Sequence, residues 1–595
     1  MDDASCMLVT EQSVQSVRIP LNDSTLLFDK TELLFLCLRA VVTRAGEEFQ
    51  VSGANVTRRA FVGGGMAAAL AACGLAGCGD GGGRADAATA SDVDATHQVT
   101  IAMSAENEPD AGFDPCVDWG CGEHVHEPLI QSTLIVTDEE MNFAGDLATD
   151  WSCSPDKLTW TFKIRDDATF SDGQALTAAD VAFTINTIRG SKNAQADLSM
   201  VADATAPDDT TALITLSKPC NTLLYTLANM GIVPEHAYGP DYGANPIGSG
   251  RYKLVQWDRG QQAILEANPS YYGEKPNIER VVVVFMAEDA ALAAARAGQV
   301  DMAYTSATLA DQTIEGYSLE AYDTVDSRGI QLPVIPAGSE RADGDATYPA
   351  GNDVTCNVEV RRAINLGVDR QAIVDDVLGG YGKVAYSIGD GMPWASDGMR
   401  CDYDPQAAKA QLEGAGWALG EDGVYAREGL RCSLDLYYPA SDSVRQSMAN
   451  AFANQMAQIG IEVNTHGASW DDLYPHEFSD PITWGWGSNS PSDVYELSHS
   501  SGTMNYSCYS DATVDAYLDE ALAADDVEAS YPLWQQSEWD GVGGIAPAGD
   551  ATWVWLANVS HLYWKRDGLT VARQKLQPHG HGWSVLNNVD RWSWQ

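Results

Sequence analysis

Leu158, Trp160, Phe162 and Ile164 alternate with Thr159, Thr161, Lys163 and Arg165. A period of two predicts a half-buried strand. Phe170-Ser171-Asp172-Gly173-Gln174 then reads as a turn, and the pattern changes. Thr177 and Asp180 have the spacing of a capping box, Val181, Ile185 and Ile188 follow at helical spacing, and Gly190 is expected to close the helix. Residues 251–266 read as two strands around Asp258-Arg259-Gly260, and the apolar run 281–285 as a strand covered on both faces. A helix over 289–296 ending at Gly298, then a strand over 300–303, makes a short βαβ unit. Another strand, over 99–103, opens the folded part.

Further along, 358–366 and 371–378 predict two helices, the second capped by Asp369. Asp404-Pro405 starts another helix, in the order cap then proline, and Gly416 ends it. Val444, Met448, Phe452 and Met456 form a helical stripe that stops at Gly460, before a strand over 461–463. Helices and strands alternate throughout, so the class is α/β.

The start of the chain follows other rules. Arg58-Arg59 precede a short apolar run that ends in Leu75-Ala76-Gly77-Cys78. Twin arginines, a weakly apolar segment and small residues before a cysteine read as an export signal. The run is too short for a membrane helix of about 20 residues. Leu-Ala-Gly-Cys resembles a lipobox, so 57–78 is expected to be a lipoprotein signal with Cys78 as the lipidated residue. Residues 1–56 are then expected to be an upstream misplacement of the start or a disordered extension. Gly/Ala/Asp-rich 79–96 reads as a flexible tether.

Charge and cysteines narrow the partners. A net charge of −49 repels phosphates and argues against nucleic acid. Eight of the cysteines lie beyond Cys78, which permits disulfides in an exported protein without fixing their pairing.

Several blocks occur in a set order: Trp151-Ser152, Trp160 to Asp166, Phe170 to Gly173, and Ile247-Gly248-Ser249-Gly250-Arg251-Tyr252. Asn268-Pro269 to Gly273, Val360-Arg361-Arg362-Ala363-Ile364-Asn365, Val368-Asp369-Arg370 and Tyr403-Asp404-Pro405 continue the set. Together they resemble the family 5 solute-binding proteins of peptide and nickel ABC importers. The resemblance implies a two-lobed periplasmic-binding-protein type II fold with an extra domain (cluster C). It places lobe I at 97–128, 248–330 and 560–595, the extra domain at 129–247, and lobe II at 331–559. It also implies an extracytoplasmic, lipid-anchored protein that delivers its ligand to a permease and its ATPase subunits, with no cofactor and no catalysis.

In peptide-binding relatives a Trp-x-x-Asp-x-x-Asp-Pro segment lies in the cleft, its first Asp on the ligand α-ammonium. The matching stretch runs from Trp484 through Trp486, Ser488, Asn489 and Ser490 to Pro491. Trp484 and Trp486 are candidate cleft residues, and one of the pair, Trp484 or Trp486, is expected to face the gap and offer its ring to the ligand. Serines 488 and 490 stand where the relatives carry acids, and Asp493 or Glu106 could substitute. The expected ligand is an oligopeptide, blocked or long, or a metal chelate. His579 and His581, one residue apart between glycines, are candidate metal ligands, and His124-x-His126 is a similar pair. Gly-x-Ser-x-Gly, His-Glu-x-x-His and phosphate-loop motifs are missing, which disfavours an enzyme. A non-transporting extracellular receptor or adhesin with the same lobes is the other class.

Overall fold

A computed structural model describes residues 5–10, 13–18 and 94–595, apart from 118, 119, 122, 123, 192, 193, 195, 345 and 581. The arginine pair, Cys78 and His581 lie outside the described residues. The first unit contributes one antiparallel hairpin, Ser5–Thr10 with Ser13–Arg18. Everything below concerns the second unit, which spans 91–595.

Its largest sheet has seven strands, in the order Tyr252–Asp258, Gln262–Ala267, Arg280–Met286, Gln98–Ser104, Met302–Thr305, His561–Arg566, Tyr317–Tyr322. The central Gln98–Ser104 runs parallel to both neighbours. Strand Arg280–Met286, helix Glu288–Arg296 and strand Met302–Thr305 form the expected βαβ unit, with Gln98–Ser104 inserted between its strands. Both sheet faces are covered. Val281, Val283 and Phe285 pack with Trp583, Val585 and Leu586, while Ala291, Leu292 and Ala295 of the helix cover the other side.

The period-two segment is the strand Thr159–Ile164, inside a four-stranded antiparallel sheet with Ala148–Cys153, Thr211–Leu216 and Val201–Asp208. Helix Ala178–Gly190 lies against it, and its capping box is formed: Thr177 N donates to Asp180 Oδ2 at 2.9 Å. Gly190 is the last helical residue rather than the residue beyond, because the turn is closed by the Ser191 amide on the Ile188 carbonyl at 3.0 Å. The Gly248-Ser249-Gly250 stretch has a packing cause. A Cβ on Gly248 would meet the Ile130 carbonyl oxygen at 2.0 Å, so only glycine lets the two backbones touch.

A second four-stranded antiparallel sheet holds Gly382–Val384, Trp553–Val559, Ser327–Gln331 and Thr483–Trp486. Nearby, Ser433–Pro439 and Glu462–Ala468 pair in parallel across helix Ser443–Gln458, whose Met448, Phe452 and Met456 are buried. Helix Val358–Gly367 is hooked onto the approach to strand Trp553–Val559. Arg361 Nε donates to Asp550 O and Arg362 Nε to Gly549 O, each at 2.8 Å, and Asn365 Nδ2 donates to Trp553 O at 3.1 Å. The helix expected over 371–378 is instead one α turn, Arg370–Ala372, and a π turn, Ile373–Val377. The Leu378 amide reaches back to Ile373 O, which widens the coil, and Gly379 and Gly380 then leave it with positive φ. Cys116, Cys153, Cys220, Cys356, Cys401, Cys432 and Cys508 are free thiols.

The chain passes twice between the seven-stranded sheet and the second four-stranded sheet, at 323–326 and at Ser560. A buried polar cluster ties the crossings together. The Asp326 carboxylate, with no exposed surface, takes contacts from Arg328 Nη1, from Arg328 Nη2 at 3.2 Å, from His561 Nε2 at 2.9 Å and from His579 Nδ1 at 2.5 Å. Thr324 Oγ1 also donates to Val559 O at 2.6 Å, so each crossing holds the other.

Candidate functional site

Strand Thr483–Trp486 is buried along its length at the rim of its sheet. Gly487 follows with φ +142°, and a Cβ there would meet Val325 O at 1.9 Å. Only glycine turns the chain out of the strand at this point, into the loop that leads to helix Ser492–Ser498. That exit sets the site. Trp486, Ser488, Asn489, Ser490 and Asp493 all line one cavity of about 650 Å³.

The two tryptophans do different things. Trp486 faces the cavity. Trp484 stands behind it, stacked on Tyr506 at 4.4 Å and 8° and on Trp470 at 5.8 Å, with Nε1 donating to Gln331 Oε1 at 2.9 Å. It supports the wall, and Trp486 is the one of the pair that reaches the cavity. Tyr506 lines the cavity beside Trp486 and was not anticipated, because nothing in its local sequence marks it.

Ser488 Oγ donates to Asp493 Oδ1 at 2.9 Å. The segment therefore does carry an acid, placed by the first turn of the helix rather than by the loop. Burial pushes the Asp493 carboxyl up to about 6, and the neighbouring Glu496 adds to the rise. Glu496 is itself raised by burial while accepting from Thr503 N at 2.9 Å and Thr503 Oγ1 at 2.8 Å. Asp197 lines the same cavity and adds to the rise of Glu496. Asn489 Nδ2 donates to Leu576 O at 3.2 Å, and its Oδ1 is buried without a partner among the described residues.

His579 reaches the cavity wall but is anchored through Nδ1 to Asp326. Burial holds its pKa down, at about 4, so the ring is neutral near pH 7. His126, read from sequence only as half of a histidine pair, lines the same cavity. Burial holds it down to about 3, and its Nε2 has no hydrogen-bond partner among the described residues. Among the described residues, no group of three or more His, Cys, Asp or Glu is placed to hold a metal ion. Glu106 is not brought into this cavity. It sits in a separate cleft of about 60 Å³ with Glu288 and Asp442, and accepts from Ser441 Oγ.

The profile described as "Bacterial extracellular solute-binding proteins, family 5 Middle" matches residues 142–507. The chain belongs to this family. Family 5 proteins are extracytoplasmic solute-binding proteins. Protein XP55 of Streptomyces lividans is 31% identical over 507 residues, covering 79% of this chain and 86% of the relative. The oligopeptide-binding protein AppA of Bacillus subtilis (strain 168) is 28% identical over 429 residues, 67% of this chain and 76% of AppA. Among solved structures, NikZ from Campylobacter jejuni in complex with Ni(L-His) superposes with a TM-score of 0.71 at 23% identity, covering 84% of this chain and 99% of NikZ. That likeness establishes the two-lobed α/β fold of family 5, with which the described sheets agree.

Proposed function

We propose that this family 5 protein is the capture component of an ABC importer for peptides, and that its lobes close on the ligand around the Trp486–Asp493 cavity. One observation carries the reading: residues from 486–493, Asp197 with Tyr225, and His579 with Trp583 all line a single space. A wall drawn from three distant stretches of chain suits closure by rigid lobes. The volume is that of a small-molecule or short-peptide site, about 300–1,000 Å³. The lobes would be 97–128, 248–330 and 560–595 for the first and 331–559 for the second, with 129–247 as the extra domain. A membrane permease and its ATPase subunits would receive the ligand.

Asp493 supplies the carboxylate that Ser488 and Ser490 lack, so a ligand ammonium has a counter-charge within reach of the loop. Calorimetry with free and N-acetylated short peptides tests this. Free peptides are expected to bind, and acetylation to weaken them by about tenfold or more, the value of one charge-assisted hydrogen bond. Equal binding of both forms would remove Asp493 from that role.

The unpartnered Nε2 of His126 favours a second reading, a metal chelate as ligand. Tight binding of Ni(II)–histidine with no response to peptides would select it. In either case the protein is held to the membrane through Cys78. N-terminal sequencing and mass analysis of the mature protein are expected to find a lipidated Cys78 first, and a mature chain starting at Met1 would refute this.

A further inference from the structure

Next to the main cavity lies a second, of about 410 Å³, walled by Ser132, Asp146, Arg251, Tyr271 and Arg591. The two share Glu127, Thr137, Ala228, Lys575 and Asn587. The wall between them is therefore one layer of side chains. At its centre Lys575 Nζ contacts Glu127 Oε1 and donates to Thr137 Oγ1 at 2.8 Å. The two charged side chains are only 9% and 16% exposed. They belong to stretches of chain far apart in sequence, so no covalent link closes the passage.

The second chamber has little use for a charged ligand. Arg251 is paired with Asp590 and Arg591 with Glu139, each at 2.7 Å. Asp146 takes the Tyr272 hydroxyl and the Thr133 amide, and burial pushes its carboxyl up. Apart from the carboxylate of Asp138, what remains on its walls is hydrogen-bonding surface and the Tyr271 ring, which suits an uncharged polar chain such as a peptide backbone.

We propose that the Glu127–Lys575 ion pair is a removable partition, and that the second chamber is an extension subsite for the continuation of a peptide too long for the main cavity. The inference rests on the peptide reading above. Opening a mostly desolvated ion pair strands both charges unless the ligand replaces the lost contacts. Affinity then falls in a step at the length where the ligand first meets the pair, rather than drifting with length. The step belongs to the pair, so removing both charges removes the step.

Mixed-sequence peptide pools of fixed length, from two to nine residues, test this by native mass spectrometry and calorimetry. Wild type is compared with Glu127→Gln and with Glu127→Gln/Lys575→Met, each checked for folding by thermal melting. Wild type is expected to lose at least tenfold in affinity between two successive lengths. The double variant is expected to lose that step, its affinity varying smoothly with length, and Glu127→Gln to fall between. Should the double variant fail to fold, Glu127→Gln, which keeps the side-chain volume, carries the comparison. An unchanged length profile overturns the partition and leaves the main-cavity reading standing. Binding of no pool to any of the proteins overturns both.

Discussion

Asp493→Asn is expected to make the ligand-free protein more stable above pH 6 and to cost it most of its affinity for a cationic ligand. The folded carboxyl titrates at about 6, above the ordinary 3.8, because burial penalises its charged form. The folded state therefore holds the proton more tightly than the unfolded chain. Below about pH 4 both states are protonated and the site costs nothing. As pH rises toward 6 the unfolded chain ionises first, and folding stability is lost across that window. An amide carries no such cost. The gain above pH 6 is on the order of 1–3 kcal/mol, from about 1.4 kcal/mol per pKa unit and reduced for the part of the side chain that water still reaches. At pH 4 the two proteins should melt alike. Binding of a free-amino peptide should weaken by about tenfold to a hundredfold, since a charge-assisted contact contributes about 1.5–3 kcal/mol. Urea titrations at pH 4 and 7.5, with calorimetry at 7.5, read both effects. A variant less stable at both pH values would show that Asp493 is a structural residue instead.

The second large effect is expected at the crossings between the sheets. Asp326→Ala removes the one carboxylate that Arg328 Nη1 and Nη2, His561 and His579 share. Arg328 is 1% exposed, so its charge would be left in the protein interior without its strongest partner. Breaking a buried pair from one side costs about 3–5 kcal/mol. Asp326→Asn keeps the shape and part of the hydrogen bonding, and should lose less. Denaturant melts of both variants provide the comparison. A loss below about 1 kcal/mol for Asp326→Ala, the range of an exposed pair, would mean that water or rearrangement satisfies the arginine.

Much of the fold was legible because it is written locally. The Thr177–Asp180 capping box, the alternation from Leu158 to Ile164, the Asp404-Pro405 start and the Val444-to-Met456 stripe each need only neighbours in sequence, and each formed. The π turn after Ala372 was missed because a helical pattern of apolar residues does not reveal how the turn is closed. The site was legible in part. Trp486, Ser488, Asn489 and Asp493 sit within one short stretch, so they reach the same cavity together. Trp484, only two residues away in a strand, shares the side of the sheet with Trp486 but not its exposure to the cavity. The depth of the aromatic stack decides between them, and that stack includes Trp470 and Tyr506. Glu106 went astray for a related reason: it was nominated for its charge alone, and charge says nothing about which cleft a side chain enters. His126 and the Asp326 cluster were beyond reach because the residues they meet, His561 and His579 among them, are hundreds of residues away.

The seven-stranded sheet also governs when this protein can become itself. Its sixth strand, His561–Arg566, separates Met302–Thr305 from Tyr317–Tyr322 and pairs with both. A ribosome delivers that strand only after the whole of 323–560 has been made. Until then two edges that will be interior stand open, and unpaired edges invite the wrong neighbour. The sheet must therefore wait for all of that intervening chain, so a nascent chain that stops short of His561 is an incomplete sheet in need of shelter.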